Sequence, residues 1–345
     1  MDLTIAAILG LDGLTNGAIY ALVALALVLV FSVTRIIFIP QGEFVAFGAL
    51  TLASLQMGKV PGTVWLLLLL AVAGAALDLV QALRERWAAG RIARRLLGAL
   101  VVPAAIAALV HALAPRQPAL IVQVLLTLAV VTAMGPLLYR LAYRALSAAS
   151  VLTLLIVSVG VHFALTGIGL VFFGAEGYRT PAFWDARFDA GPLSFTGQTL
   201  IIFGASLVLL LAMFVFFERT LMGKALRATS VNRTGARLMG ISGDAAGSLS
   251  FTMAAFIGAL SGLLISPSTT IYYDTGFLIG LKGFVAAVFG GLASFPMALA
   301  GAIGVGLIES FGSFYASAFK EVIVFTVILP ILLWRSFVDP HHEEH

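Results

Sequence analysis

Hydrophobic positions along this chain neither alternate nor confine themselves to one helical stripe; they continue through whole helix lengths and stop at short polar or Gly/Pro breaks. Helices that are apolar all round are either lipid-solvated or buried among other helices. In lipid the backbone groups must be bonded within the segment, so each run is read as a helix. The runs place candidate spans at 12–33, 42–56, 63–83, 96–114, 119–138, 151–173, 199–217, 248–272, 277–293, 296–315 and 321–334, with residues 3–10 extending the first or lying at the interface. We therefore predict an all-α polytopic membrane protein of about eleven transmembrane helices, with about eight as the lower bound.

Composition narrows the class further. Charged residues are 10 % of the 345, and the mean hydropathy is +1.08. An ordinary soluble domain carries roughly a quarter charged residues, so a soluble enzyme, a disordered chain and a single-span anchor are all excluded. There is no cysteine, hence no disulfide framework and no thiolate metal site. The opening Met1-Asp2-Leu3 lacks a basic n-region, and the first segment is expected to be a retained span.

A formal charge of +4 does not point to nucleic acid, because the basic residues gather between spans. Arg84, Arg86, Arg91, Arg94 and Arg95 fall in one loop; Arg219, Lys224, Arg227, Arg233 and Arg237 fall in another. The positive-inside rule puts both in the cytoplasm, and with them Arg35, Arg140, Arg144 and Arg335. Lys59, Arg116, Arg179, Arg187 and Lys320 are left outside, giving an external N-terminus and a cytoplasmic C-terminus. The external loop 174–198 interleaves Tyr178, Phe183, Trp184, Phe188 and Phe195 with Glu176, Asp185 and Asp189. It reads as an interfacial aromatic belt or as a docking surface for an external partner.

Hydrolytic chemistry is absent. Gly223-Lys224 resembles the end of a phosphate-binding loop, but Glu218 stands where a glycine is needed and Ala225 follows the lysine. There is no HExxH zinc motif and no GxSxG nucleophile turn. His111 and His162 are isolated in apolar runs, as packed or cavity-facing imidazoles. The tail Asp339-Pro340-His341-His342-Glu343-Glu344-His345 reads as a solvated end, or a weak metal binder. GxxxG pairs occur at Gly13/Gly17, Gly58/Gly62, Gly243/Gly247, Gly258/Gly262 and Gly276/Gly280, but a chain with 35 glycines produces several by chance.

Ionisable groups inside spans are costly and face protein or a watery cavity. Lys282 and Glu309 are of this kind, and Glu43 opens the second span beside the break at Pro40-Gln41-Gly42. Lys282 has two candidate partners, Glu309 and Glu43, and either holds structure or lines a path. The segment 218–241 is amphipathic, basic and too polar to cross, and predicts one or two short helices punctuated by Gly235 and Gly240. It is either a membrane-surface helix or a lever for a soluble partner's groove.

At these residues the sequence resembles a family. The stretch Gly223, Lys224, Ala225, Leu226, Arg227, Ala228, then Asn232, then Ala236-Arg237-Leu238-Met239-Gly240-Ile241, resembles the coupling loop of branched-chain amino-acid ABC permeases of the LivH type. Asn16-Gly17-Ala18-Ile19-Tyr20-Ala21-Leu22, Ile39-Pro40-Gln41-Gly42-Glu43, and the glycine-rich stretch from Gly280 to Ala302 agree with it. Departures are Val231 where the family often has an acid, Pro40-Gln41 in place of Ala-His, and an ending at Leu333-Trp334-Arg335-Ser336 without the usual motif. Residues 84–118 resemble an insertion with extra helices, within a single permease domain over 1–345.

The resemblance implies an ABC importer permease fold in a bacterial inner membrane. It implies a subunit that is not itself an enzyme and holds no cofactor, ATP being used by two cytoplasmic ATPases. A LivM-like second permease and a periplasmic binding protein would complete the assembly. The implied cargo is a branched-chain or hydrophobic amino acid, or a small amide such as urea. ATPase coupling is implied for Gly223, Lys224, Ala225, Leu226, Arg227, Asn232, Ala236 and Gly240, within a cytoplasmic loop 218–247. Gln41, Gly42, Glu43, Lys282 and Glu309 are the candidate pathway residues. Two rival readings are a sugar-type ABC permease and an ion-coupled secondary transporter using Glu43, Lys282 and Glu309.

Overall fold

The protein is described from a computed structural model, over residues 3–86, 88–190 and 193–338. The tail from Asp339 to His345 lies outside the described residues. Helices dominate, and among the described residues eight helical stretches are long and apolar enough to cross a membrane: Leu3–Thr34, Gly62–Arg84, Gly90–Arg116, Leu120–Leu146, Val151–Phe173, Gly197–Arg219, Gly243–Ile265 and Phe295–Leu333.

Helix α1 (Leu3–Thr34) is the axis of the bundle. It is buried without a break from Ile19 to Val30, as a helix apolar all round must be when other helices surround it. Its main neighbours are α10 (Gly243–Ile265), α11 (Thr275–Phe289) and α12 (Phe295–Ala316). Against α12 the backbones nearly touch, because Gly306 lies on Gly13 and Gly17 and a side chain there would strike main chain. The first GxxxG pair is thus a helix crossing.

Three expected spans are modified, for physical reasons. The segment 42–56 is the short helix α2 (Gln41–Gln56), which starts inside the bundle after the non-helical stretch 35–40. Non-helical backbone at that depth is tolerated because protein encloses it: Ile36 and Phe38 are fully buried, and Phe38 packs on Phe44, Tyr143 and Phe251. The segment 277–293 stops as α11 at Phe289, where Gly291 and Leu292 adopt positive φ of 60° and 58°. The segment 321–334 is divided into α13 (Lys320–Thr326) and α14 (Ile328–Val338), with only Val327 between them. In addition, the span expected at 248–272 ends at Ile265, and residues 266–272 form turns and a bridge instead.

The periphery comprises α3 (Gly62–Arg84), α4 (Ala89–Leu113), α5 (Leu120–Leu138), α6 (Val151–Phe173) and α7 (Gly197–Arg219). Residues 84–118 hold α4 and a short 3-10 turn at Ala114–Arg116; α4 packs on α3 and α5. His111 of α4 bonds the carbonyl of Ala107 and meets Trp65 edge-on. The loop 174–198 contains a hairpin of β1 (Arg187–Ala190) with β2 (Leu193–Thr196). It is stitched to the turn after α10 through Tyr178 with Ile271, Arg179 with the Pro267 carbonyl, and Thr180 with Ser266.

Candidate functional site

The polar segment after α7 folds as two short helices, α8 (Leu221–Val231) and α9 (Arg233–Leu238). Thr220 caps α8 by accepting from the Gly223 amide at 2.9 Å, and Asn232 caps α9 by accepting from the Gly235 amide at 2.8 Å. The bend is therefore at Asn232, which ends α8 and starts α9, as a residue with a good capping side chain can. Gly235 lies in the first turn of α9 instead of punctuating it; Gly240, at φ 83°, does end the pair.

Close packing fixes this elbow to the spans. Gly223 sits against the Phe216 carbonyl and the Phe217 backbone, where a Cβ has no room. Leu226 and Ala236 are buried, and Arg227 donates to Glu218 at 2.7 Å. Arg233 donates to the carbonyl of Thr34 at the end of α1; burial, and then Arg237 beside it, lowers its pKa from the ordinary arginine value. Lys224 is exposed and Ala225 half-buried. Meanwhile Leu221, Met222, Val231, Leu238 and Met239 stand 65–86 % exposed. Lys224, Arg227, Val231, Asn232 and Met239 border an open groove of about 530 Å³ between the two helices. A basic elbow carrying exposed apolar side chains is a surface that suits a protein partner or the membrane.

The predicted pathway residues separate into two buried clusters. In the first, Gln41 donates to the Ala254 carbonyl at 3.0 Å, and Gly42 lies on Gly276 and Gly280 of α11. Glu43, 1 % exposed, is 2.7 Å from His162 Nδ1 of α6. A carboxylate in the first turn of α2 also meets the positive end of that helix. His162 stacks on Phe277, its ring centroid 4.7 Å away. The imidazole is packed, and its Nδ1 holds the Glu43 carboxyl in place.

In the second cluster Lys282 of α11 donates to Glu309 of α12 at 2.5 Å and to Glu321 of α13 at 3.1 Å. Tyr20 of α1 donates to the other oxygen of Glu309 at 2.5 Å, and its ring centroid is 5.8 Å from the ammonium. Of the two candidate partners for Lys282, Glu309 is the one it meets; Glu43 belongs to the other cluster. Four elements thus converge on one cation.

Sequence reasoning missed Tyr20 and Glu321, and a third cluster altogether. Asp78 of α3, 5 % exposed, pairs with Arg140 after α5 and lies 3.4 Å from Arg95 of α4. A lone carboxylate in an apolar run was the available signal. His162 was also findable: Ser158, His162 and Thr166 are spaced on one face of α6, and Ser158 accepts from Tyr143 at 3.1 Å.

A bundle axis crossed by glycines, charges held within the bundle and a basic elbow between two spans fit a membrane permease component. Comparison with known sequences decides the family, because residues 93–332 match the branched-chain amino acid transport system / permease component. The chain belongs to this family. Among its relatives, the high-affinity branched-chain amino acid transport system permease protein LivH of Escherichia coli K12 is 26 % identical over 333 residues, covering 93 % of this chain and 91 % of that protein. The permease protein BraD of Pseudomonas aeruginosa is 28 % identical over 213 residues, 60 % of this chain and 69 % of BraD. The probable LivH of Methanocaldococcus jannaschii is 28 % identical over 204 residues, 56 % and 65 % of the two chains. No solved structure gives a significant match. As a multi-pass permease component, the protein works in a membrane and within a transport system of several parts.

Proposed function

We propose that this protein is the membrane-spanning subunit through which branched-chain amino acids, or closely related small apolar solutes, enter the cell on an ABC importer. Of two cytoplasmic ATPases one would dock on the α8–α9 elbow, a second LivM-like permease would face this one, and a periplasmic protein would deliver the cargo. Under this reading the N-terminus is periplasmic and the C-terminus cytoplasmic. The chain itself supplies no covalent chemistry and binds no cofactor; ATP is turned over by its partners.

The observation that carries the reading is the elbow. Its buried side holds Gly223, Leu226 and Ala236 against the spans, while its outer side presents Met222, Val231, Leu238 and Met239 to a partner. Displacement of α8 must then be passed to α7 through Gly223 and to α1 through Arg233. An ATPase that binds the elbow differently in its two states can shift the permease between conformations, since only differential affinity moves such an equilibrium. Under this reading α2 with α6, tied through Glu43 and His162, and α11 with α12, tied through Lys282 and Glu309, would each move as a unit, and the path would open between such units.

The test is ATPase activity of the assembled transporter, stimulated by loaded binding protein, with Gly223→Leu and Arg227→Ala. Assembly with normal basal turnover but lost stimulation is the expected result. Full stimulation in both variants would remove the elbow from the mechanism. Uptake that collapses with an uncoupler while ATP is maintained would instead favour an ion-coupled carrier.

A further inference from the structure

Beneath α8 lies a crevice of about 600 Å³ whose shape and chemistry are not explained by docking of an ATPase. One wall is α1 and another is α7; α8 and the turn entering α12 close it. Along α1 it extends from Leu25 to Val33, and along α7 from Leu210 to Glu218. Each is a run of eight helical steps, so the slot is about 12 Å deep, parallel to the helix axes. Toward Leu25 and Leu210 its lining is apolar and includes Met213 and Phe214.

The mouth is different. Glu218 and Arg227 stand there as a pair of opposite charges, both more than a third exposed. Ser32 and Ser230 donate to carbonyls of their own helices, which leaves their oxygens free to accept. A ligand matching this mouth carries a hydrogen-bonding cation for Glu218 and the hydroxyl oxygens, and an anion for Arg227. A slot that deep exceeds the length of a free amino acid, but takes the upper part of an acyl chain. The slot lies at the ends of two spans, α1 and α7, where lipid is the surrounding solvent.

We propose that this crevice binds one phospholipid with a primary-ammonium zwitterionic headgroup, of the phosphatidylethanolamine type. Its phosphate meets Arg227, its ammonium meets Glu218 with Ser32 and Ser230, and one acyl chain enters toward Leu25 and Leu210. Because α8 forms one wall, the bound lipid fixes the distance between α8 and α1. Any effect of that on coupling rests on the function proposed above; the binding itself does not.

The test is lipid retention by the full chain purified with its partner subunits, read by native mass spectrometry after a delipidating detergent wash. Discs containing phosphatidylethanolamine, phosphatidylcholine or phosphatidylglycerol are compared. The wild type should retain phosphatidylethanolamine over phosphatidylcholine, whose quaternary ammonium has no N–H, by about tenfold, the weight of one charge-assisted hydrogen bond. Ala293→Phe and Leu210→Trp, which fill the slot, should lose the retained lipid, and Glu218→Gln should abolish the preference while leaving the slot open. If one filled variant fails to assemble, the other and Glu218→Gln still decide. Equal retention of all three lipids, or retention unchanged by filling, overturns the proposal. So does a leucine-induced thermal shift that Ala293→Phe removes, since the site would then belong to a free amino acid. Failure here leaves the elbow test untouched.

Discussion

Replacing Lys282 by Met leaves Glu309 and Glu321 facing each other without their common cation. The side chains are 7 % exposed for Lys282, 11 % for Glu309 and 32 % for Glu321, so the three losses should be unequal. Removing one partner of a buried pair costs about 3–5 kcal/mol, because the other charge is left uncompensated. Lys282→Met belongs in that range. Glu309→Gln should cost less, since Lys282 keeps Glu321 and Tyr20 can still donate to the amide oxygen. Glu321→Gln, at a solvent-reached edge, should cost under about 1 kcal/mol. Replacing the whole set by Met and Gln should recover much of the loss, because an uncharged cluster has no desolvation to offset.

The assay is SDS-driven unfolding of purified protein, paired with solute uptake in reconstituted vesicles. The order Lys282→Met, Glu309→Gln, Glu321→Gln, with recovery in the triple variant, is the expected outcome. A Lys282→Met protein within about 1 kcal/mol of wild type that no longer transports would refute the reasoning. Lys282 would then be a group of the path and not a fastening for α11.

Three further perturbations probe other contacts. Gly42→Ala puts a Cβ into the Gly276 backbone of α11, and should cost at least the 1–3 kcal/mol typical of overpacking, read as loss of monodisperse protein; Gly10→Ala, with nothing within 4 Å, is the neutral control. His162→Phe should destabilise through the unpaired Glu43, and Glu43→Gln in the same chain should restore part of it, giving a coupling energy of about 0.5–3 kcal/mol in the SDS titration. Asp78→Asn should destabilise the protein in the SDS titration by leaving Arg140 unpaired, whereas Arg95→Ala should do so only slightly, because Arg140 remains on Asp78.

How much of this was legible depends on which forces act locally. The long apolar runs, an interruption before the second helix and the helical character of 218–241 follow from periodicity and local conformational preference, and the structure has them, though the interruption lies at 35–40 and Gln41 and Gly42 are already in α2. Where α11 ends was not legible, because 277–293 reads as apolar throughout; Gly291 and Leu292 turn the chain before the run is finished. Nor does a run say whether lipid or protein surrounds it: α1 and α7 look alike, yet one is the axis and the other lies at the rim. The partner of Lys282 was ambiguous because registry between helices is set by packing. Gly306 on Gly13 and Gly17 fixes α12 against α1, and that contact carries Glu309 to Tyr20 and hence to Lys282. The elbow's hinge at Asn232 was visible as a residue type, but glycine was the more conspicuous breaker and drew the prediction to Gly235.

The clusters share a property that bears on transport. Glu43 fastens the start of α2 to α6, Lys282 fastens α11 to α12 and α13, and Asp78 fastens α3 to Arg140 and to α4. Two of these tie short or interrupted helices, which have the least apolar surface with which to hold their places. Such links are directional and have no partial form: a carboxylate moved from its cation in a low-dielectric interior loses most of what offset its burial. Helices joined in this way therefore move together. Under the proposed function, motion arriving from α8 through Gly223 and from α9 through Arg233 would reach α7 and α1, neither of which is bound to α2 or α6 by a charge in these clusters. Under the proposed function the apolar faces between such units would be the surfaces that slide, and the ionisable residues inside the bundle would mark what travels together.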